Sequence, residues 1–169
     1  LEGQLVLDIG SSTGGFTEVA LRRGAKKVVA VDVGRGQLHP KLRGDPRVEL
    51  FEGTDIREFT YPERFPVILS DVSFISLLKI LPAIGRLGAP GGRLLLLFKP
   101  QFEVGPEVKR DKRGVVVDSR EIERARARFE GEIEKLGWKI EGVYPSPVKG
   151  KEGNQEYGYF IQLPPTPQQ

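Results

Sequence analysis

The stretch "RLLLLFKP", residues 93–100, sets four leucines and a phenylalanine between Arg93 and Lys99. A strand with one wetted face alternates apolar and polar side chains. A run that is apolar at every position belongs instead to a strand covered on both faces, as in a parallel sheet. The run is also far short of the roughly 20 apolar residues that span a bilayer. It stops on Lys99, and Pro100 then removes a ladder donor and fixes the backbone. A strand read as the most buried of the chain therefore carries a cation to its carboxyl end.

Outward from this run, "QLVLDIG" (4–10), "KKVVAVDV" (26–33), "RVELFEG" (47–53) and "PVILSDV" (66–72) read as further strands. Helices are expected at about 14–23, 76–87 and 119–136, the last opened by an Asp118/Ser119 cap ahead of Glu121 and closed at Gly137. Strands alternating with helices predict an α/β fold, with a mostly parallel sheet and helices on both faces. After the long helix come "KIEGVYPSP" (139–147) and "QEYGYFIQL" (155–163), two strands with no helix between them. They predict an antiparallel hairpin at the C-terminal end, giving a seven-stranded sheet. This layout resembles the class I methyltransferases, Rossmann-like proteins that bind S-adenosylmethionine, more than the plain dinucleotide-binding pattern.

The composition bounds the rest. With 169 residues, 38% hydrophobic and 29% charged, the chain suits one globular domain over 1–163 with a Pro-rich tail at 164–169. It has no cysteine, which excludes disulfides, cysteine nucleophiles and thiolate metal sites and fits a reducing cytoplasm. A net charge of +3 suits an anionic partner without demonstrating one. There is no basic segment ahead of the first apolar run, so no signal peptide is expected. Methionine is absent even at position 1, so the chain is expected to be a piece of a longer protein.

In doubly wound sheets, ligands sit outside the carboxyl ends of the strands. Those ends deliver Asp8 with the loop "GSSTGGF", then Asp32, Asp55, Asp71 and finally Lys99. The candidate cofactor residues are Asp8, Gly10, Ser12, Thr13, Gly14 and Phe16 around the first loop, Asp32 with Val33, Asp55 with Ile56, and Asp71. Glycines let the loop turn tightly and approach a ligand, though such turns also serve as plain strand-to-helix connections. Asp32 lies 22 positions beyond Gly10, near the spacing at which an acid meets ribose hydroxyls. Asp55 is placed to accept from an adenine amino group; the alternative is a solvated turn acid. A dehydrogenase is the competing reading, but the single histidine, His39, precedes Pro40 in an expected surface loop, and no Tyr-x-x-x-Lys pair occurs. No metal site is expected.

"DIGSSTGGF", "VDVGRGQL", "SDVSFISL", "KPQFEVG", "GVVVD" and "EGNQEY" occur here in the order found in TlyA-type (haemolysin A-like) ribosomal RNA methyltransferases. The chain resembles that family, relatives of the FtsJ ribose methyltransferases, from about residue 4 to residue 163. The resemblance implies transfer of a methyl group from S-adenosylmethionine to a ribose 2′-hydroxyl, with ribosomal RNA or a ribosomal subunit as partner. No membrane association is expected from a chain without a spanning segment, and a monomer is the expectation although the sequence does not determine the oligomeric state. The resemblance also implies a Lys-Asp-Lys-Glu tetrad in which Asp71, Lys99 and Glu156 match the last three members. The first lysine has no match, and the family's small S4-type RNA-binding domain is not in this chain.

A lysine at this place either stabilises charge developing on the hydroxyl oxygen or acts as a general base. The neighbouring carboxylates favour orientation and electrostatic stabilisation; a lysine merely snorkelling to water is the structural alternative. Lys109, Arg110, Lys112 and Arg113 in one loop, and Lys149 and Lys151 in another, are candidate RNA contacts, although basic loops are often simply solvated. Phe74 and Phe102 are candidates for stacking on a base. Two other functions compete: an inert fragment that binds cofactor or RNA, and a membrane-active haemolysin, for which no spanning or amphipathic segment speaks.

Overall fold

A single sheet with strand order β3-β2-β1-β4-β5-β7-β6 organises the computed structural model, which describes residues 1–147 and 153–166. In chain order the elements are β1 (Leu5–Ile9), α1 (Gly15–Arg22), β2 (Lys27–Val31), α2 (Pro40–Arg43), β3 (Val48–Phe51), β4 (Phe65–Ser70), α3 (Leu77–Leu87), β5 (Gly88–Phe98), α4 (Pro100–Glu103), α5 (Ser119–Lys135), β6 (Lys139–Pro145) and β7 (Tyr157–Gln162). Strands β3, β2, β1, β4 and β5 pair in parallel; β7 runs antiparallel to both β5 and β6. The expected fold class is therefore the observed one, closing hairpin included.

The continuous apolar runs are explained by where their two sets of side chains go. Leu94, Leu96 and Phe98 of β5 join Leu7, Ile9, Val29 and Ile68 in the larger core, beneath α3 and α5. Helix α5 supplies Ala125, Phe129 and Ile133 to that core, four residues apart and so on one stripe. Phe98, Phe129 and Tyr159 meet there as a cluster of rings with centroids 4.9–5.9 Å apart. Burying each such side chain contributes about 1.5–3 kcal/mol. On the opposite face Val6, Val28, Val67 and Leu69 pack with Ala20 and Leu21 of α1.

The chain order reverses direction between β1 and β4, neighbours in the sheet that are not consecutive in sequence. Such a switch point opens a crevice at the carboxyl ends of the strands. Three details depart from expectation. Strand β5 starts at Gly88, six residues ahead of the leucine run, with a register shift between Phe65 and Val67 of its partner. Pro100 does more than end that strand: its fixed φ suits the first position of α4. His39, at the exposed entry to α2, is its N-cap, with Nδ1 accepting from the Lys41 amide at 3.1 Å.

Candidate active site

A cavity of about 980 Å³ lies over the switch point, and its wall includes Gly10, Asp32, Asp55, Asp71, Lys99 and Glu156. Residues that follow five parallel strands, and one at the entry to β7, thus meet as the topology requires. Gly10 enters at φ 77°, and a Cβ there would stand 2.5 Å from the Asp71 carbonyl oxygen. Only glycine lets the first loop pass that close to the end of β4. Ser12 follows at φ 48°, and Gly14 caps α1 at φ 108°.

Asp32, just past β2, closes on this loop. Its Oδ2 accepts from the Ser12 amide at 2.6 Å and its Oδ1 from the Gly34 amide at 2.8 Å. Each oxygen keeps a further lone pair for a hydroxyl donor, so the carboxylate is fixed without being used up. Val33 and Ile56 line the same wall, Val33 largely exposed and Ile56 buried. Asp55 is less free than its sequence position suggested. Arg57 grips both of its oxygens, at 2.7–3.2 Å, and that guanidinium, with the Arg57 amide, holds the carboxyl below its usual range. A ligand amine reaching Asp55 has to share it with Arg57.

Asp8 is wholly buried within β1 and faces a smaller adjoining cavity of about 380 Å³ shared with Gly10, Ser12, Thr13, Phe16 and Asp71. Its Oδ2 accepts from the Thr17 hydroxyl at 2.6 Å, while its Oδ1 has no partner. Burial pushes the carboxyl up to about 7; the Thr17 hydrogen bond opposes this, and the charges of Asp71 and Asp32 reinforce it. Thr13 accepts from the His39 amide through its carbonyl at 3.1 Å, joining the loop to α2, and Phe16 packs partly buried against the smaller core.

At the other end of the cavity, Lys99 Nζ stands 2.5 Å from Asp71 Oδ1 and 3.3 Å from Ser73 Oγ. The lysine side chain is only 12% exposed, so this is not a lysine reaching out into water. Glu156 lies on the same wall, at the entry to β7. Burial raises its carboxyl above the ordinary range, Lys99 acts against that, Asp71 adds to it, and the Gln101 side chain lowers it by a hydrogen bond. Two carboxylates therefore surround one largely enclosed ammonium.

Phe74 stands at the mouth, 90% exposed, at φ 64°. A left-handed backbone costs an ordinary residue about 1–2 kcal/mol, so the fold holds this ring outward against its preference. Its neighbour is Phe102, ring centroid 5.1 Å away and partly buried. Of the basic candidates, Lys109, Lys112 and Arg113 are exposed, with Arg113 3.7 Å from Asp111. Arg110 is different: its guanidinium donates to the carbonyls of Val108, Gln101 and Gly105, bracing its own loop, while the residue still lines the cavity. Lys149 and Lys151 lie outside the described residues.

Four residues that the sequence left unremarked complete the site. Thr17 satisfies Asp8, Gln101 supports Glu156, Asn154 lines the wall, and Glu103 ties α4 to α3 by accepting from Ser76 Oγ and the Leu77 amide at 2.6 and 2.7 Å. Gln101 and Asn154 stand two residues from Lys99 and Glu156, the only signal that could have singled them out. Among the described residues no cluster of side chains could hold a metal ion, and no helix is long and apolar enough to cross a membrane.

With this geometry in place, the comparisons with known proteins agree with one another. The family model of FtsJ-like methyltransferases matches residues 2–162. The chain is 50% identical over 154 residues to the 23S rRNA (cytidine-2′-O)-methyltransferase TlyA of Campylobacter jejuni, covering 91% of this chain and 60% of that protein. It is 45% identical over 164 residues to the 16S/23S rRNA (cytidine-2′-O)-methyltransferase TlyA of Mycobacterium tuberculosis, covering 95% and 60%. Among solved structures, a protein described as a hemolysin from Streptococcus thermophilus superposes with a TM-score of 0.91 at 38% identity, over 99% of this chain and 62% of that one. The chain thus spans about 60% of the length of these relatives.

Proposed function

The chain belongs to the FtsJ-like methyltransferase family, and on that premise we propose that it methylates the ribose 2′-hydroxyl of cytidine in ribosomal RNA, using S-adenosylmethionine, in the cytoplasm. The two TlyA relatives named above carry that activity in their names, and the residues of this cavity suit it. Asp32 has lone pairs left for the two hydroxyls of an adenosine ribose, and Val33 and Ile56 offer apolar flanks for its base. The smaller cavity, with the unpartnered Oδ1 of Asp8, suits a cationic amino group. When bound, S-adenosylmethionine supplies an electrophilic methyl carbon.

The protein's own part is to activate the acceptor hydroxyl, and the observation that carries this reading is the Lys99–Asp71 pair on the cavity wall, a largely enclosed ammonium 2.5 Å from a carboxylate that remains open to the cavity. A ribose hydroxyl is a poor nucleophile because losing its proton is costly. An ammonium already in place, with Asp71 as its countercharge, orients the hydroxyl and stabilises the negative charge that develops as the oxygen attacks the methyl carbon and its proton passes to water in the open cavity. Glu156, whose burial favours its protonated form, completes the surroundings of that oxygen. Phe74 offers a ring on which the base of the acceptor nucleotide stacks, and Lys109 and Lys112 offer phosphate contacts that position the strand without reading its sequence.

The test uses ribosomal RNA and S-adenosylmethionine with a labelled methyl group. The expected product is a 2′-O-methylated cytidine, found by nuclease digestion and mass spectrometry. Label on a base, or none at all, refutes the proposal.

A further inference from the structure

Asn154 is 2% exposed, and neither polar atom of its amide is idle. Oδ1 accepts from the Val116 amide at 3.0 Å, and Nδ2 donates to the Gly114 carbonyl at 3.3 Å. The residue thereby grips the backbone of a segment 38 and 40 positions away. That segment is a rigid turn in its own right. Asp111 Oδ1 accepts from the Arg113 and Val115 amides at 2.8 and 3.0 Å, the Asp111 amide donates to the Val115 carbonyl at 2.9 Å, and Gly114 turns the corner at φ 85°. Residues Arg110 and Val116 close it as an antiparallel bridge. The turn presents Lys112 and Arg113 to solvent.

Two residues after Asn154 comes Glu156. Its carbonyl accepts from the Ser146 amide at 2.8 Å, which fixes the backbone where β7 begins. Arg110, Gly114, Asn154 and Glu156 all line the large cavity. Among the described residues, the two hydrogen bonds of Asn154 are those that join the turn to residues 153–156. A buried amide with both ends engaged transmits a displacement, because breaking either bond leaves a buried polar group unpaired.

We propose that Asn154 is a positioning residue that couples the basic turn 111–116 to Glu156, so that a nucleic-acid backbone seated on the turn sets the Glu156 carboxylate in the cavity. The inference rests on the methyltransferase reading for its substrate, but the coupling itself is a property of the fold. Glu156 lines the cavity with Lys99, Asp71 and Gln101, and its partial burial there is what raises its carboxyl above the ordinary range.

The experiment compares the protein with its Asn154→Ala and milder Asn154→Ser variants in three measurements. Carboxyl NMR follows the titration of Glu156; calorimetry measures affinity for S-adenosylhomocysteine as a stable probe; single-turnover methyl transfer is read at saturating ribosomal RNA. The expected result is a Glu156 midpoint displaced downward toward the ordinary carboxylate range, probe affinity unchanged, and transfer slowed by about tenfold or more. In the Asn154→Ala background, Lys112→Ala weakens RNA binding but no longer slows transfer. An unmoved Glu156 midpoint in a folded variant overturns the coupling, as does a parallel loss of probe affinity and transfer, which marks general collapse. If the unaltered protein transfers no methyl group, the methyltransferase reading fails, while the Glu156 titration still decides the coupling.

Discussion

Replacing Asp8 with asparagine should make the protein more stable at neutral pH, although it removes a residue from the candidate cofactor site. Asp8 is wholly buried, with one oxygen bonded to Thr17 and the other unpartnered. Burial favours its protonated form, moving the carboxyl from 3.8 to about 7. Below about pH 4 both folded and unfolded chains hold the proton, and the contribution to stability is intact. Between about pH 4 and pH 7 the unfolded chain has lost the proton and the folded one keeps it, so stability falls as pH rises. At about 1.4 kcal/mol per pH unit, that window corresponds to a loss of about 4 kcal/mol. Asparagine keeps the shape and an acceptor for the Thr17 hydroxyl, and it has no proton to lose. Urea unfolding of both proteins across this range at fixed ionic strength should give a difference near zero at the acid end, growing to several kcal/mol at neutral pH and then constant. Parallel stability curves would refute the reasoning. A difference that grows toward acid would reverse its sign and mean that Asp8 is ionised in the folded protein.

Lys99→Met should lower methyl transfer by about a hundredfold or more while leaving S-adenosylhomocysteine affinity unchanged, because it removes the ammonium and not the cofactor contacts; equal losses in both would place Lys99 in cofactor binding instead. Asp32→Ala should weaken calorimetric binding of S-adenosylmethionine by roughly tenfold to a hundredfold, the worth of hydrogen bonds to a charged group. Phe74→Ala should raise the KM for RNA, with stacking worth about 1–3 kcal/mol per base, and leave the melting temperature unchanged because the ring is 90% exposed. Replacing Lys109 and Lys112 with alanine should flatten the salt dependence of RNA binding by about 0.7 per lysine that touches a phosphate, a slope that a filter-binding titration measures directly.

Much of this was legible in the residues because the physics is local. A strand apolar at every position needs cover on both faces, so "RLLLLF" fixed the kind of sheet, and two strands with no helix between them could only fold back on each other. Asp32 and Lys99 line one cavity because strand ends in such a sheet share one rim. What escaped was everything set by long-range packing. Arg110 reads like its neighbouring lysines, and only the folded loop turns its guanidinium onto three carbonyls. Asp55 reads as a free acceptor until Arg57, two positions on, folds back over it. Asn154 and Glu103 look like loop polars, and their partners lie 26 to 40 residues away.

The two most specific motifs, "DVSFISL" and "KPQFE", are better understood as one object than as two. They follow β4 and β5, parallel neighbours in register up to Ser70 and Leu96, so the chain leaves the sheet twice side by side. From there the segments are joined step by step. Lys99 meets Asp71 and Ser73, Phe102 meets Phe74, and Glu103 receives the Ser76 hydroxyl and the Leu77 amide. Each link has its own chemistry: an ion pair, a ring contact, and a buried carboxylate capping α3. Pro100 starts the short helix that brings Phe102 and Glu103 onto the same side as Lys99. The last link explains the first. A lysine and an aspartate on two independent loops would drift with those loops, whereas here a capped helix on one side and a proline-started turn on the other hold them in one geometry. The Lys99–Asp71 pair, the exposed ring and the Glu103 carboxylate are therefore one unit, and a substitution at Glu103 acts on the same geometry as one at Asp71.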